Sequence, residues 1–138
     1  MQLTLNVARE LIEIGKQKAT QEFGRPICIA ICDDSGALLS FDRMEGAPLR
    51  SIRISQQKAY TANRMGIPTD VFLARLQQDN LEISYYCDQE LTALPGGNPL
   101  MDKAGKVIGC VGVSGLAASE DQRITEYIAG IVAEENMD

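Results

Sequence analysis

Two late segments of the chain are rich in glycine and are the residues most suited to ligand chemistry. Residues 94–99 contain the pair Gly96 and Gly97 between two prolines, and residues 109–115 contain three more glycines. A residue without a Cβ lets the backbone come close to a bound group, and a helix that begins just behind such a loop favours negative charge. These segments predict one wall of a site for a flat or anionic ligand, although residues 94–99 are equally consistent with a wide turn between strands.

The second segment ends in Ser114 and Gly115, directly before a predicted helix. Its glycines follow neither the dinucleotide pattern G-x-G-x-x-G nor a phosphate-binding loop. One interpretation is an anion site built from Ser114, Gly115 and free helical N–H groups. The other is that glycine here only permits close packing of a strand and a helix. Glu120 and Asp121 already place negative charge at that helix start, which disfavours a phosphate.

Two basic residues stand at positions suited to ligand contact. Arg43 follows a predicted strand, where its guanidinium would hold a carboxylate through two hydrogen bonds or pair with the neighbouring Asp42 or Glu45. Lys58 lies among small residues on a predicted helix, where it would bind an anion, act as a base, or extend to water. Both remain candidate ligand-binding residues.

The chain contains no histidine. This excludes Ser-His-Asp and Cys-His catalysis and histidine ligation of haem, whereas Ser-Lys and carboxylate chemistry stay open. Cys28 and Cys32 would lie roughly 13 Å apart along one strand, which is too far for a disulfide. The cysteines are therefore expected to be buried, reduced thiols, and no metal site is predicted.

Composition predicts one globular domain spanning residues 1–138. The net charge of −6 argues against nucleic-acid binding, which requires clustered Lys and Arg. No segment resembles an export signal, a membrane span or a lipid anchor. We therefore expect a cytoplasmic protein that binds neither membranes nor nucleic acid.

Hydrophobic periodicity predicts the elements that position these residues. Helices are expected over residues 4–23, 50–65 and 69–80 and after a capping box that begins at Ser119. Strands are expected over residues 27–32, 37–44, 99–101 and 107–113, with a weak extended stretch near 90–94. Two hairpins imply antiparallel pairing, so the predicted fold is α/β, with an antiparallel sheet of about five strands flanked by helices.

Taken in order along the chain, these motifs resemble the GlcG/HbpS family, which also includes the C-terminal domain of PduO-type corrinoid adenosyltransferases. The resemblance covers nearly the whole chain. It is carried by Asp34-x-Gly36, Arg43-Met44-Glu45-Gly46-Ala47, Ser51, Lys58-Ala59-x-Thr61-Ala62, Pro95-Gly96-Gly97-x-Pro99, Gly109-x-x-Gly112-Val113-Ser114-Gly115 and Asp121.

The resemblance implies a profilin-like fold, assembly into dimers or larger rings, and binding of haem or a corrinoid such as cobalamin, here without histidine ligation. It also implies a link to glycolate, propanediol or glycerol utilisation. The site residues it implies match Arg43, Lys58, Gly96, Gly97, Ser114 and Gly115 of this chain.

Three functions follow as expectations. The first is a homo-oligomeric accessory protein that binds a tetrapyrrole or a small anionic metabolite. The second is an enzyme that acts on haem or on a small hydroxy acid or aldehyde, with Lys58 or a carboxylate as base. The third is a structural partner subunit of a metabolic enzyme, docked through its terminal helix.

Overall fold

A computed structural model describes residues 2–134 of the chain. Four helices and four strands account for most of this length, with a short 3₁₀-helix at Ile83–Tyr86. In chain order the elements are α1 (Leu5–Phe23), β1 (Cys28–Asp33), β2 (Leu38–Arg43), α2 (Ser51–Met65), α3 (Thr69–Asp79), β3 (Gly97–Met101), β4 (Val107–Ser114) and α4 (Ala118–Glu134).

The strands form one antiparallel sheet in the order β2-β1-β4-β3. Both predicted hairpins are confirmed, and so is the α/β class. The expectation of about five strands is wrong for the described residues, because the stretch near residues 90–94 is not a strand. Hydroxyl groups take its backbone donors instead: Thr92 N–H donates to Thr61 Oγ1 at 2.9 Å, and Leu94 N–H donates to Thr92 Oγ1 at 3.3 Å. These donors therefore do not need a neighbouring strand.

The two faces of β1 differ in side-chain size, and each face packs against a different layer. Ile29 and Ile31, with Ile27 just before the strand, join the larger core cluster with α1 and α4. Ala30 and Cys32 lie on the other face, against small residues of α2. Helix α2 lies very close to β4 in this second layer, because a Cβ at Gly112 would lie 2.0 Å from the carbonyl oxygen of Ser55. Only glycine allows α2 to approach β4 at that point.

The start of α4 differs from the predicted capping box. The helix begins at Ala118, so Ser119 lies inside its first turn. Glu120 Oε1 accepts a hydrogen bond from Ala117 N–H at 3.1 Å, and Asp121 Oδ1 accepts one from Leu116 N–H at 3.0 Å. Because two acidic side chains satisfy the donors before the helix, Gln122 is free to form other contacts.

The four cysteines are free, as predicted, but they are not all buried. Cys28, Cys32 and Cys110 are buried in the sheet, whereas Cys87 is exposed after the 3₁₀-helix. The prediction of buried thiols is therefore wrong for Cys87, which follows a surface turn rather than lying on a strand. Across residues 2–134, no helix has the length and apolar character needed to span a membrane.

Candidate functional site

The six predicted site residues lie at or near one end of the sheet. This is the end where β2 and β4 finish and β1 and β3 begin, and the pairing of Cys28 with both Arg43 and Ser114 places these three in one row. Gly97 pairs with Gly112 on the neighbouring strands, so the turn before β3 reaches the same end. The fold therefore brings segments distant in sequence to a common edge.

The Gly96–Gly97 turn is held by the protein itself. Gly96 N–H donates to Gln122 Oε1 at 2.6 Å, and Gly97 N–H donates to Thr69 Oγ1 at 2.9 Å. Gly97 also passes very close to α2, where a Cβ would lie 2.4 Å from the carbonyl oxygen of Lys58. The paired glycines are thus required for packing, and both of their N–H groups already have partners.

Lys58 lies beneath this turn and forms a buried ion pair. Its Nζ donates to the Val113 carbonyl oxygen at 2.8 Å and to Asp121 Oδ2 at 3.0 Å. The side chains of Lys58 and Asp121 are only 2% and 3% exposed. Burial lowers the pKa of the Lys58 ammonium, and it raises the pKa of the Asp121 carboxyl to about 6, although each partner opposes the change in the other.

Ser114 and Gly115 adjoin Lys58 at the end of β4. The hydroxyl oxygens of Ser114 and Ser51 lie 3.2 Å apart in a hydrogen bond, and both side chains are buried. Gly115 has φ +133°, and a Cβ there would lie 2.8 Å from the Pro26 carbonyl oxygen. This glycine is therefore needed both for its backbone conformation and for close contact with the start of β1.

Arg43 lies at the same end of the sheet but on its opposite edge. It is exposed, and its Nη2 lies 3.4 Å from the Ala47 carbonyl oxygen. Strand β2 is separated from β3 by β1 and β4, which corresponds to about 14 Å across three strand spacings. A ligand that contacts both Arg43 and the Gly96–Gly97 turn must therefore extend across the end of the sheet.

Buried polar residues of α4 complete the arrangement, and their role was not predicted from the sequence. Gln122 Nε2 donates to Asn98 Oδ1 at 2.6 Å, and Thr125 Oγ1 donates to the same oxygen at 2.5 Å. Asp121 and Thr125 occupy the stripe of α4 that Ile128 continues into the core. Polar residues inside an otherwise apolar stripe were the available signal, because buried polar groups require partners.

A groove of about 470 Å³ lies beside the turn, between the first residues of α3 and α4. Pro95, Ala118 and Gln122 contribute to its walls, and the charged side chains of Asp70, Arg123 and Glu126 also line it. Gln122 therefore both borders the groove and holds the Gly96 backbone. Within residues 2–134, no group of three or more His, Cys, Asp or Glu side chains is placed to hold a metal ion.

Comparison with known proteins identifies the family to which this fold and site belong. Residues 3–129 match the family described as "Haem degrading protein HbpS-like". The chain belongs to the HbpS-like family. A 15.0 kDa protein from the dhaT-dhaS intergenic region of Citrobacter freundii is 33% identical over 128 residues, covering 90% of this chain and 87% of that protein.

Another relative is protein GlcG of Escherichia coli K12, which is 33% identical over 112 residues, covering 81% of each chain. Among solved structures, the PduOC:heme complex superposes with a TM-score of 0.82 and covers 94% of both chains at 24% identity. That structure shows the same fold. The similarity to the HbpS-like family predicted from the motifs is therefore confirmed.

Proposed function

We propose that this protein is a ligand-binding accessory protein for a tetrapyrrole or a small anionic metabolite. The observation that carries the proposal is the groove between α3 and α4, which Pro95 of the predicted glycine segment borders. The six predicted site residues themselves lie near this groove or across the end of the sheet and do not line it. The family description names haem, and PduOC with the same fold was solved with heme. Both support a tetrapyrrole as the first ligand to test.

The groove has features suited to a ligand with apolar faces and an acidic edge. The lining from Pro95 and Ala118 is apolar, and the exposed guanidinium of Arg123 lies beside it. Arg123 pairs with Glu22 on α1, and a ligand carboxylate would compete for the same donors. Asp70 and Glu126 also line the groove, so a ligand with several carboxylates would be accepted only at the Arg123 side.

The groove is suited to the porphyrin ring of haem, but its lining offers none of the usual ligands for the haem iron. Its lining contains no histidine, cysteine, methionine or tyrosine, which are the usual protein ligands of haem iron. When bound, haem would supply a redox-active iron, but the residues present can only hold the macrocycle and one carboxylate. We therefore propose recognition through the ring faces and a propionate. Metal-free protoporphyrin IX would then bind as tightly as haemin.

The position of Arg43 also bears on ligand size. Arg43 lies about 14 Å from the β3 edge, beyond the reach of a small metabolite held in the groove. A second cavity, of about 420 Å³, lies between α1 and the residues that follow Arg43, with Met44 and Glu45 in its lining. A ligand confined to the groove between α3 and α4 would therefore not touch Arg43, which would contribute only to a ligand that extends across the end of the sheet.

Two further parts of the proposal concern partners and cellular role. We propose that the chain assembles with copies of itself in the cytoplasm, and the partly exposed edge strand β2 provides surface for such contact. We also propose the accessory role in glycolate, propanediol or glycerol utilisation, beside a metabolic enzyme, that the family resemblance implies. Light scattering and co-purification from cells would test these parts separately.

Spectroscopic titration tests the ligand. Purified protein would be titrated with haemin, protoporphyrin IX and cobalamin, together with Arg123→Ala and, as a matched exposed arginine on α1, Arg9→Ala. We expect micromolar binding of both porphyrins, roughly tenfold weaker binding by Arg123→Ala, and an unchanged affinity for Arg9→Ala. The absence of any shift in the porphyrin or corrin bands would exclude tetrapyrroles. Binding of haemin without protoporphyrin IX would contradict recognition through the ring.

A further inference from the structure

The side chain of Lys58 connects three layers of the fold at one point. It leaves α2, passes the end of β4 at Val113, and reaches Asp121 in the first turn of α4. Asp121 uses both carboxylate oxygens, because Oδ2 accepts from Lys58 and Oδ1 accepts from Leu116 N–H. The pair therefore ties a helix on one face of the sheet to a helix on the other.

The Gly96 turn rests directly on this pair. A Cβ at Gly96 would lie 2.8 Å from Lys58 Nζ, 2.9 Å from Asp121 Cβ and 2.7 Å from the Val113 carbonyl oxygen. The Gly96 carbonyl oxygen accepts a hydrogen bond from Val113 N–H at 2.8 Å, so the turn is held from the β4 side as well. We expect a change in the pair to shift the turn, because the two are in close contact.

Direct contact between Lys58 and a ligand conflicts with this packing. The ammonium is closed off by the turn above it, and two of its three N–H groups already have protein acceptors. Pro95 and Gln122 border the groove, whereas neither Lys58 nor Asp121 belongs to its lining. The groove therefore reaches the residues that hold the turn but not the buried pair.

We propose that Lys58 and Asp121 are positioning residues, which hold the turn at residues 95–97 as a wall of the ligand groove without touching the ligand. This inference rests on the proposed function for the existence of the ligand. It assigns Asp121 a role in the site and changes the expected role of Lys58 from ligand contact to support. Burial of both charged groups is consistent with a pair whose partners are each other.

Single and double substitutions of Lys58 and Asp121 distinguish a positioning role from direct contact with the ligand. Lys58→Met or Asp121→Leu alone leaves one charge buried without its partner, whereas the double variant replaces the pair by apolar side chains of similar size. We expect each single variant to bind protoporphyrin IX about tenfold more weakly and the double variant to return to within about threefold of the wild type. A double variant with normal thermal unfolding but no recovery of affinity would overturn the proposal.

A second measurement uses the wild-type protein and does not depend on the folding of variants. Lysine acetylation under native conditions, located by mass spectrometry, would be compared with and without protoporphyrin IX. We expect Lys58 to stay unmodified in both samples, while the exposed Lys103 and Lys106 react. Acetylation of Lys58 in the free protein, with protection by the porphyrin, would show direct contact and overturn the proposal. Failure of the wild type to bind any porphyrin would overturn only the proposed ligand, because the free-state labelling still tests the closed turn.

Discussion

Lys16 pairs with two carboxylates and Lys58 with one, and the surroundings shift the pKa of the two lysines in opposite directions. Lys16 lies on the surface of α1 and contacts Asp42 at 2.7 Å and Glu13 at 2.8 Å. Hydrogen bonding to Asp42 and then Glu13 raises the pKa of Lys16, whereas burial lowers the pKa of Lys58. The comparison shows that position, more than the type of partner, decides what an ion pair does for this fold.

The largest expected effect comes from breaking the buried pair. Lys58→Met leaves the Asp121 carboxylate in a closed environment without its cation, and we expect it to reduce the free energy of unfolding by about 3–5 kcal/mol. Chemical denaturation followed by circular dichroism would measure this loss. A loss below about 1 kcal/mol would be no larger than that expected for a surface ion pair, and it would contradict the difference drawn between Lys58 and Lys16.

The turn above the pair provides the next test. Gly96→Ala introduces a Cβ against Lys58 Nζ and Asp121 Cβ at a backbone φ of +125°, and we expect a loss of about 3 kcal/mol. Gly105→Ala is the matched control, because Gly105 has φ +83° but no atom within 4 Å of the added Cβ. This control should lose only the backbone contribution, about 1 kcal/mol. Equal losses in the two variants would show that the turn does not rest on the pair.

The pKa of Asp121 provides a further test of how the buried pair differs from the surface pairs. Burial raises its pKa from the ordinary value of 3.8 to about 6. The folded protein therefore binds this proton more readily than the unfolded chain. The stability that the proton contributes is present below pH 3.8 and is lost as the pH rises through about 6. NMR titration should find Asp121 near 6, and at higher pH in Lys58→Met, because the cation that opposes the rise is absent.

Asp88 serves as the internal control for this titration. Its carboxylate accepts a hydrogen bond from the hydroxyl of Tyr60 at 2.6 Å, and this contact lowers its pKa below 3.8. We therefore expect Asp88 and Asp121 to titrate on opposite sides of the ordinary value in the same spectra. Coincident titration of both groups near pH 4 would contradict the burial of Asp121.

The smallest effect is expected at the surface pair. Lys16→Met repeats the substitution made at Lys58, but water screens the carboxylates of Glu13 and Asp42 once the cation is removed. The change in the free energy of unfolding should stay below about 1 kcal/mol and should shrink further in high salt. A loss as large as that of Lys58→Met would show that the exposed network supports the fold.

Most of the fold follows from local sequence signals. Gly24 and Gly66 end α1 and α2 in the left-handed conformation, where a side chain is disfavoured, and short apolar segments on either side of a turn mark both hairpins. The fifth strand was predicted wrongly because the hydroxyls of Thr61 and Thr92 replace ladder partners. This use of hydroxyl acceptors depends on a tertiary contact between α2 and the later loop at residues 90–94, and no local sequence pattern predicts such a contact.

The site was predicted less completely than the fold. The glycine segments and the family motifs indicated the residues at the end of the sheet, but not which of their groups are free. Lys58 and Asp121 are 63 positions apart, and both residue types are usually exposed. The sequence places Asp121 at a predicted helix start, where its charge disfavours a phosphate. It does accept a donor there, and its second oxygen pairs with the buried lysine.

The distribution of the four cysteines has a practical consequence for labelling the native protein. Burial raises the pKa of Cys32 to about 11 and that of Cys110 to about 12, and Cys28 is also closed to solvent. Alkylating reagents attack the thiolate, so these three positions will react slowly while the chain is folded. Cys87 alone is exposed, and a maleimide dye would attach at this one surface position without any mutation.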